Sequence, residues 1–432
     1  MDISELYNIF KEHPLVTTDS RECPQGSIFF ALKGASFNGN EFADKALAQG
    51  CSYAVVDEKA YCKDDDSRYI LVDNCLTALQ QLANYHRRQL GTKIIGVTGT
   101  NGKTTTKELI SAVLSVKYNV LFTQGNFNNH IGVPKTLLRL TKEHDIAVVE
   151  MGANHPGEIK TLVNIVEPDY GIITNVGKAH LAGFGSFEGV IHTKGELYDY
   201  LREKHGTVFI HNENPYLLGI AHDLDLVRYG TGSEKELYVR GEVTSCDPYL
   251  EFRWNTADGC WHNVKTNMIG DYNVYNMLAA ACIGTYFKVD EEHVCHALSS
   301  YKPTNNRSEF EKTPYNCLII DAYNANPTSM AAALSNFSKM KEQPKMAILG
   351  DMKELGSASR EEHQKIVEQL KACSLDAVWL VGEEFGKTDC NFKKFSNVGE
   401  VKAEIARKRP EGQYILIKGS NSTKLFELKG ML

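Results

Sequence analysis

Residues 96–109 read GVTGTNGKTTTKEL, and their types and spacing suit the binding of a phosphate chain. Gly96, Gly99 and Gly102 can turn backbone N–H groups inward around phosphate oxygens, because glycine accepts conformations closed to other residues. A strand-like KIIGVT leads into the loop, and the spacing predicts a helix from about Lys103, whose N-terminus adds the positive end of a dipole. The strict spacing is glycine, four residues, then Gly-Lys-Ser/Thr. Here Val97 stands five residues before Gly102, so the loop is a variant. Lys103 can reach the β/γ-phosphates, and the Thr104 hydroxyl can bind Mg²⁺. Such loops serve switches, kinases, motors and ligases alike, so the surrounding residues must decide.

Three side chains extend the chemistry. Glu150, ending the apolar run IAVVE, offers the hard oxygen that Mg²⁺ takes, although a strand-end acid can also cap a helix. His180 lies just after the next strand, in TNVGKAHLAGFGS. Lys194, in HTKGELYDY, is expected at the start of a helix as a solvated surface residue. The alternatives are a phosphate contact or an amine bearing a CO₂-derived carbamate that would act as an anionic metal ligand.

These residues need a scaffold. SIFFAL and YAVV read as strands and TALQQLANYHRRQL as a helix that closes a first α/β unit, broken by Gly91. IAVVE, YGIIT and TVFI are short apolar runs of the buried parallel kind. ELYVRGEVTS through NVKTNM alternates with period two, as antiparallel strands do, and NVYNMLAAACIGTYF reads as a helix. YKPTNNR (301–307) reads as a linker. CLIID, KMAILGD, AVWLVG and YILIKGS then form a further βα series, with Asp321, Asp351, Gly382 and Lys418 at strand ends, where doubly wound sheets bind ligands. The expectation is an α/β protein of three domains, 1–90, 91–301 and 302–432.

Composition bounds the partners. A net charge of −7 argues against a nucleic-acid coat, and no apolar run nears the roughly 20 residues that cross a bilayer. The N-terminal MDISELYNIFKEHP lacks a basic segment followed by an apolar one, so a cytoplasmic protein without a membrane span is expected. Of the eleven cysteines no two lie within four residues, which favours reduced thiols over a zinc site. His293 and His296, at helical spacing in EEHVCHAL, read as a surface helix.

TGTNGKTTTK, TQGNFNNHIGVP, EMGANHPGEI, ITNVGKAHLAGFGS, TKGEL, NVYNMLAA, RSEF, DAYNANPTSM, ILGDMKELG and IKGSNS occur in the order found in the Mur ligases of bacterial peptidoglycan assembly. The resemblance runs from DSRECPQGSIFFALKGASFNGNEF (19–42) to the C-terminus. It implies an N-terminal UDP-substrate domain, a central ATP-binding domain of phosphate-loop type and a C-terminal Rossmann-like domain. The implied activity is ATP-dependent addition of D-alanyl-D-alanine to UDP-N-acetylmuramoyl-tripeptide through an acyl phosphate. DAYNANP with LGDMKELG is the most specific feature for that activity. The alternative is a sister Mur ligase, or a folylpolyglutamate-synthase-like ligase, that adds a single amino acid.

The resemblance also implies roles. Gly99, Thr100, Asn101, Gly102, Lys103, Thr104 and Thr105 form the ATP loop. Asn273 and Asn276 frame adenine, Arg307 and Asp321 meet ribose or phosphates, and Asn326 lies at the domain junction beside the nucleotide. Thr104 and Glu150 hold one Mg²⁺, and His180 with a carbamoylated Lys194 holds a second. Ser20 and Arg21 face the uridine nucleotide, Asn128 and Asn129 its diphosphate or sugar, and Lys418 and Ser420 the incoming dipeptide or tripeptide end. A monomer is expected. Some positions depart from the family: Tyr272 replaces a common histidine, Asn306 a glycine, Asn38 and Asn40 stand in FNGN where FDGH is frequent, and Asn421 replaces an arginine, which bears on the contact to the substrate's acidic end.

Overall fold

The computed structural model describes residues 2–63, 65–257, 259–303 and 307–432. Residues 304–306, the centre of the expected linker and the site of the Asn306 departure, lie outside the described residues. Among the described residues the fold is α/β with three sheets, as the alternating apolar runs and helices require. A four-stranded parallel sheet takes Val16–Thr17, Ile28–Phe30, Tyr53–Val56 and Tyr69–Leu71 in chain order. A nine-stranded sheet runs His262–Ile269, Tyr249–Thr256, Val239–Cys246, Asp225–Gly230, Thr207–His211, Tyr170–Ile173, Lys93–Thr98, Ile146–Glu150, Val120–Phe122. Its first three strands pair antiparallel, as their period-two alternation predicts.

The third sheet has the order Glu309–Lys312, Cys317–Asp321, Tyr414–Lys418, Lys345–Gly350, Ala377–Val381, Lys393–Phe395. Successive side chains of a strand face opposite ways. Ile319 therefore packs with Met330, Leu334 and Val367 on one face, while Leu318 and Ile320 pack with Val401 and Ile405 on the other. Covering helices on both faces make this sheet doubly wound.

Internal contacts divide the chain into two compact units. The first comprises Met1–Val97, Tyr118–Ala153 and Glu158–Gly171; the second comprises Thr98–Lys117, Asn154–Gly157 and Ile172–Leu432. In the first, helix Cys75–Leu90 begins at Asn74, whose side chain accepts the Thr77 N–H, and ends at Gly91 with φ 66°. Arg87 on this helix donates to the Val166 carbonyl at 2.9 Å, tying it to the end of helix Glu158–Val166. The second unit holds the phosphate loop, the antiparallel strands and the third sheet.

Candidate active site

The second unit builds the loop around its backbone. Gly99 has φ 140°, and a Cβ there would stand 2.0 Å from Thr174 Oγ1, so only glycine fits. Gly102, φ 76°, sits at the start of helix Lys103–Leu114. Strand Tyr170–Ile173 ends in a segment that clasps the loop. Thr174 Oγ1 donates to the Asn101 carbonyl at 2.6 Å, and Asn175 Oδ1 accepts the Asn101 N–H at 3.0 Å. The Gly177 N–H reaches Thr100 Oγ1 at 3.0 Å.

Lys103 curls back over this cradle, its Nζ donating to the Gly99 carbonyl at 2.8 Å and to that of Thr100 at 3.0 Å. A positive charge held over the N-terminus of a helix suits the binding of phosphate. Thr104 is buried in the first helical turn and Thr105 is half-buried. Asn276 lies against Gly102 and accepts from Thr106 Oγ1 at 3.0 Å, while its Nδ2 donates to Asn273 Oδ1 at 2.7 Å. Asn273 in turn donates to the Ile269 carbonyl at 2.7 Å. The pair assigned to adenine thus also braces helix Val274–Tyr286 beneath the loop.

His180 and Lys194 lie in the same unit. Helix Phe187–Lys204 starts well before Lys194, because Ser186 Oγ caps it by accepting the Gly189 N–H at 3.1 Å. Lys194 is therefore not at a helix start and not at the surface: it is 2% exposed, with Nζ 5.3 Å from the centre of the Phe184 ring. Gly189 and Gly195, poor helix formers, hid the earlier start. Gly189 is in the helix because a Cβ would strike the Phe184 carbonyl. Burial pulls the His180 imidazole below its usual range, and the charges of Lys103 and Lys194 act in the same direction against the carboxylate of Glu354. The structure thereby brings Lys103, His180 and Lys194 to one place.

The third sheet contributes further residues. Asn326 caps helix Pro327–Lys339 and donates from Nδ2 to Asn101 Oδ1 at 2.7 Å. Arg307 stacks 3.8 Å over the Tyr323 ring. Asp321 and Lys418 are register partners on adjacent strands, and their side chains form an ion pair. Ser420 Oγ accepts the Lys353 N–H at 3.2 Å.

In the first unit Glu150 ends its strand almost fully buried and accepts from Asn128 Nδ2 at 2.8 Å. Asn129 Oδ1 accepts the Gly132 N–H at 2.8 Å, at the start of helix Gly132–Leu137. Ser20 is half-buried, and Arg21 is exposed and forks onto Asp19 with Nη2–Oδ2 at 2.7 Å. Asn40 is a structural residue, bridging Asp57 with bonds of 2.8 and 2.9 Å.

The donor set suits Mg²⁺. In the second unit the Thr104 hydroxyl is a hard oxygen and His180 an imidazole, and in the first unit, taken by itself, the Glu150 carboxylate is a hard oxygen too. Among the described residues no group of three or more His, Cys, Asp or Glu gathers as a cage. Mg²⁺ in nucleotide enzymes is commonly held this way, by one or two protein ligands together with phosphates and water. Several residues escaped the sequence reading. Thr174, Asn175, Thr328 and Glu354 carry no motif signal of their own, although each lies inside a quoted segment.

A glycine loop between a parallel strand and a helix, with a buried lysine and a histidine beside it, defines a nucleotide-phosphate-binding α/β enzyme. The chain belongs to the Mur ligase family: residues 14–87 match "Mur ligase family, catalytic domain", 97–284 "Mur ligase middle domain" and 306–421 "Mur ligase, glutamate ligase domain". It is 37% identical to UDP-N-acetylmuramoyl-tripeptide–D-alanyl-D-alanine ligase of Bacillus subtilis, over 96% of this chain and 92% of that one. Its fold superposes on a crystal structure of MurF from Acinetobacter baumannii with TM-score 0.86 and 32% identity, covering 96% and 92% of the two chains. MurF ligase from Thermotoga maritima in complex with ADP matches with TM-score 0.85 and 26% identity, covering 96% of each.

Proposed function

We propose that this chain is an ATP-dependent, ADP-forming ligase that joins D-alanyl-D-alanine to UDP-N-acetylmuramoyl-tripeptide in peptidoglycan precursor synthesis. The observation that carries the reading is the phosphate loop with Lys103 held over it by the Gly99 and Thr100 carbonyls. Near-full-length similarity to enzymes of that name supports the substrates.

The tripeptide's terminal carboxylate oxygen attacks the γ-phosphorus and ADP departs, leaving an acyl phosphate. The dipeptide amine then attacks the acyl carbon, and inorganic phosphate leaves with the former carboxylate oxygen. Such transfers depend on positioning and charge neutralisation. Loop amides and Lys103 hold the phosphates, and Asn273 and Asn276 keep the base-side helix against the loop. Mg²⁺, when bound, neutralises developing charge, with Thr104, Glu150, His180 and a carbamoylated Lys194 as the protein ligands for two ions. Arg307, Asp321 and Asn326 serve the nucleotide. Ser20, Arg21, Asn128 and Asn129 serve the UDP-sugar, and Lys418 and Ser420 the peptide end.

The same reading keeps domain limits at 90/91 and 301/302, a monomer and a cytoplasmic location. No helix among the described residues is long and apolar enough to cross a membrane.

The test is ADP release by the purified chain. Release should require the UDP-tripeptide and rise with D-alanyl-D-alanine, and ¹⁸O in the substrate carboxylate should appear in phosphate. Stimulation by a single amino acid instead would make it a sister Mur ligase or a folylpolyglutamate-synthase-like enzyme.

A further inference from the structure

His180 and Glu354 belong to well-separated stretches of the second unit's sequence and meet in one clasp. The Nδ1 of His180 lies in contact with Oε2 of Glu354. The Glu354 carbonyl accepts the Ala182 N–H at 3.2 Å. Gly356, φ 55°, packs so closely on Ala182 that an added Cβ would stand 3.3 Å from the Ala182 Cβ. Both partners hold left-handed backbone, φ 51° at His180 and 63° at Glu354, which residues other than glycine adopt at some cost. Such backbone persists where surrounding contacts over-determine it, and here the two strained residues touch each other.

The loop bearing Glu354 is itself anchored. Its Met352 N–H donates to His363 Nε2 at 3.0 Å, and its Lys353 N–H to Ser420 Oγ at 3.2 Å. The segment bearing His180 is gripped a second time from the third-sheet side. The Lys178 N–H donates to Thr328 Oγ1 at 3.2 Å, and Lys178 Nζ to Glu362 at 3.1 Å. A carboxylate against one imidazole nitrogen fixes which nitrogen carries the proton, and metal-binding histidines commonly use such a partner.

We propose that Glu354 is a positioning residue for His180, holding the imidazole proton on Nδ1 so that Nε2 keeps the lone pair available as ligand. The inference rests on the reading of His180 as a metal ligand. It adds that the histidine is correctly prepared only while the 351–356 loop of the third sheet is docked on segment 177–182. Competence for the metal is then coupled to the docking of the domain that supplies the second substrate site.

The test uses the full-length chain with ¹⁵N-labelled histidine rings, His180→Ala assigning the signal. Wild type should show the Nδ1–H tautomer at His180, Glu354→Ala should lose it, and Glu354→Gln should retain it because the amide oxygen still accepts. The Glu354 side chain is 55% exposed, so its removal opens no core cavity, and thermal melting checks the fold. Mn²⁺ alone, titrated and followed by electron paramagnetic resonance, should bind about 10–100-fold more weakly to Glu354→Ala, the usual effect of losing such a partner. An unchanged tautomer in Glu354→Ala overturns the proposal. So does unchanged Mn²⁺ affinity in Glu354→Ala when His180→Ala binds more weakly. If Mn²⁺ binding ignores His180→Ala while the tautomer still follows Glu354, the metal-ligand reading of His180 fails and the positioning role stands.

Discussion

Asn326 Nδ2 donates to Asn101 Oδ1 at 2.7 Å, joining the cap of a third-sheet helix to the tip of the phosphate loop across 225 residues of sequence. The same Asn326 side chain accepts the Ser329 N–H at 2.9 Å, so one residue both starts the helix and holds the loop. Serine caps a helix about as well as asparagine but is too short to reach Asn101. Asn326→Ser should therefore leave stability within about 0.5 kcal/mol while loosening the loop. Losing one hydrogen bond of roughly 0.5–1.5 kcal/mol should raise the KM for ATP about 2- to 10-fold. Steady-state kinetics beside thermal melting would show it, and a fall in melting temperature with unchanged KM would refute the linkage.

Lys103 places a cation over the loop, held by the Gly99 and Thr100 carbonyls. Its side chain lies outside the hydrophobic core, so truncation should spare the fold. Lys103→Ala should lower kcat by about 10²–10³-fold, as when one preorganised group facing developing charge is removed. Lys103→Arg should not rescue it, because a planar fork does not replace a point charge in this cradle. ADP release measured with both peptide substrates decides the point.

How far the sequence could carry this reading differs by feature. The loop was legible because Gly99, Gly102 and Lys103 must occur in that order between a strand and a helix for the site to exist at all. The strand ends carrying Glu150 and Asp321 were legible from uninterrupted apolar runs. Lys194 was not, since two glycines blurred the helix that buries it and burial of a lysine leaves no trace in local pattern. Glu354 was hidden for a different reason. It sits in a quoted motif, LGDMKELG, but its role arises from a tertiary contact with a residue 174 positions earlier, which no periodicity encodes. Asn129, placed by family resemblance near the diphosphate or sugar, also accepts the Gly132 N–H on its Oδ1, a local bond that the sequence does not announce.

Lys194 is buried in the eighth position of an 18-residue helix, with its amine over the Phe184 ring. On the proposed reading this amine carries a CO₂-derived carbamate, which would replace a positive charge acting on His180 by anionic oxygen ligands. With ¹³C-bicarbonate the wild-type protein should show a carbamate resonance that Lys194→Met lacks. Methionine preserves most of the volume, so melting temperature should change little. Activity should fall nearly as far as in Lys103→Ala; full activity in Lys194→Met would remove the carbamate from the mechanism.

His363 gives the third sheet a pH-dependent element. The imidazole is fully buried, donates from Nδ1 to the Ser359 carbonyl at 2.7 Å and accepts the Met352 N–H on Nε2 at 3.0 Å. Burial lowers its pKa from the ordinary 6.5, outweighing the Ser359 carbonyl and the carboxylates of Asp351 and Glu384, with Lys353 acting in the same direction as burial. The unfolded chain therefore takes up this proton at higher pH than the folded one, and stability rises with pH across that interval. The contribution is present above about pH 6.5 and is lost as pH falls through the lower folded value. Protonation also removes the acceptor of the Met352 N–H and frees the loop that carries Glu354. Urea midpoints measured as pH is lowered should fall more steeply in wild type than in His363→Gln. Amide exchange at 352–356 should accelerate over the same range, and parallel slopes for the two proteins would assign the acid sensitivity elsewhere.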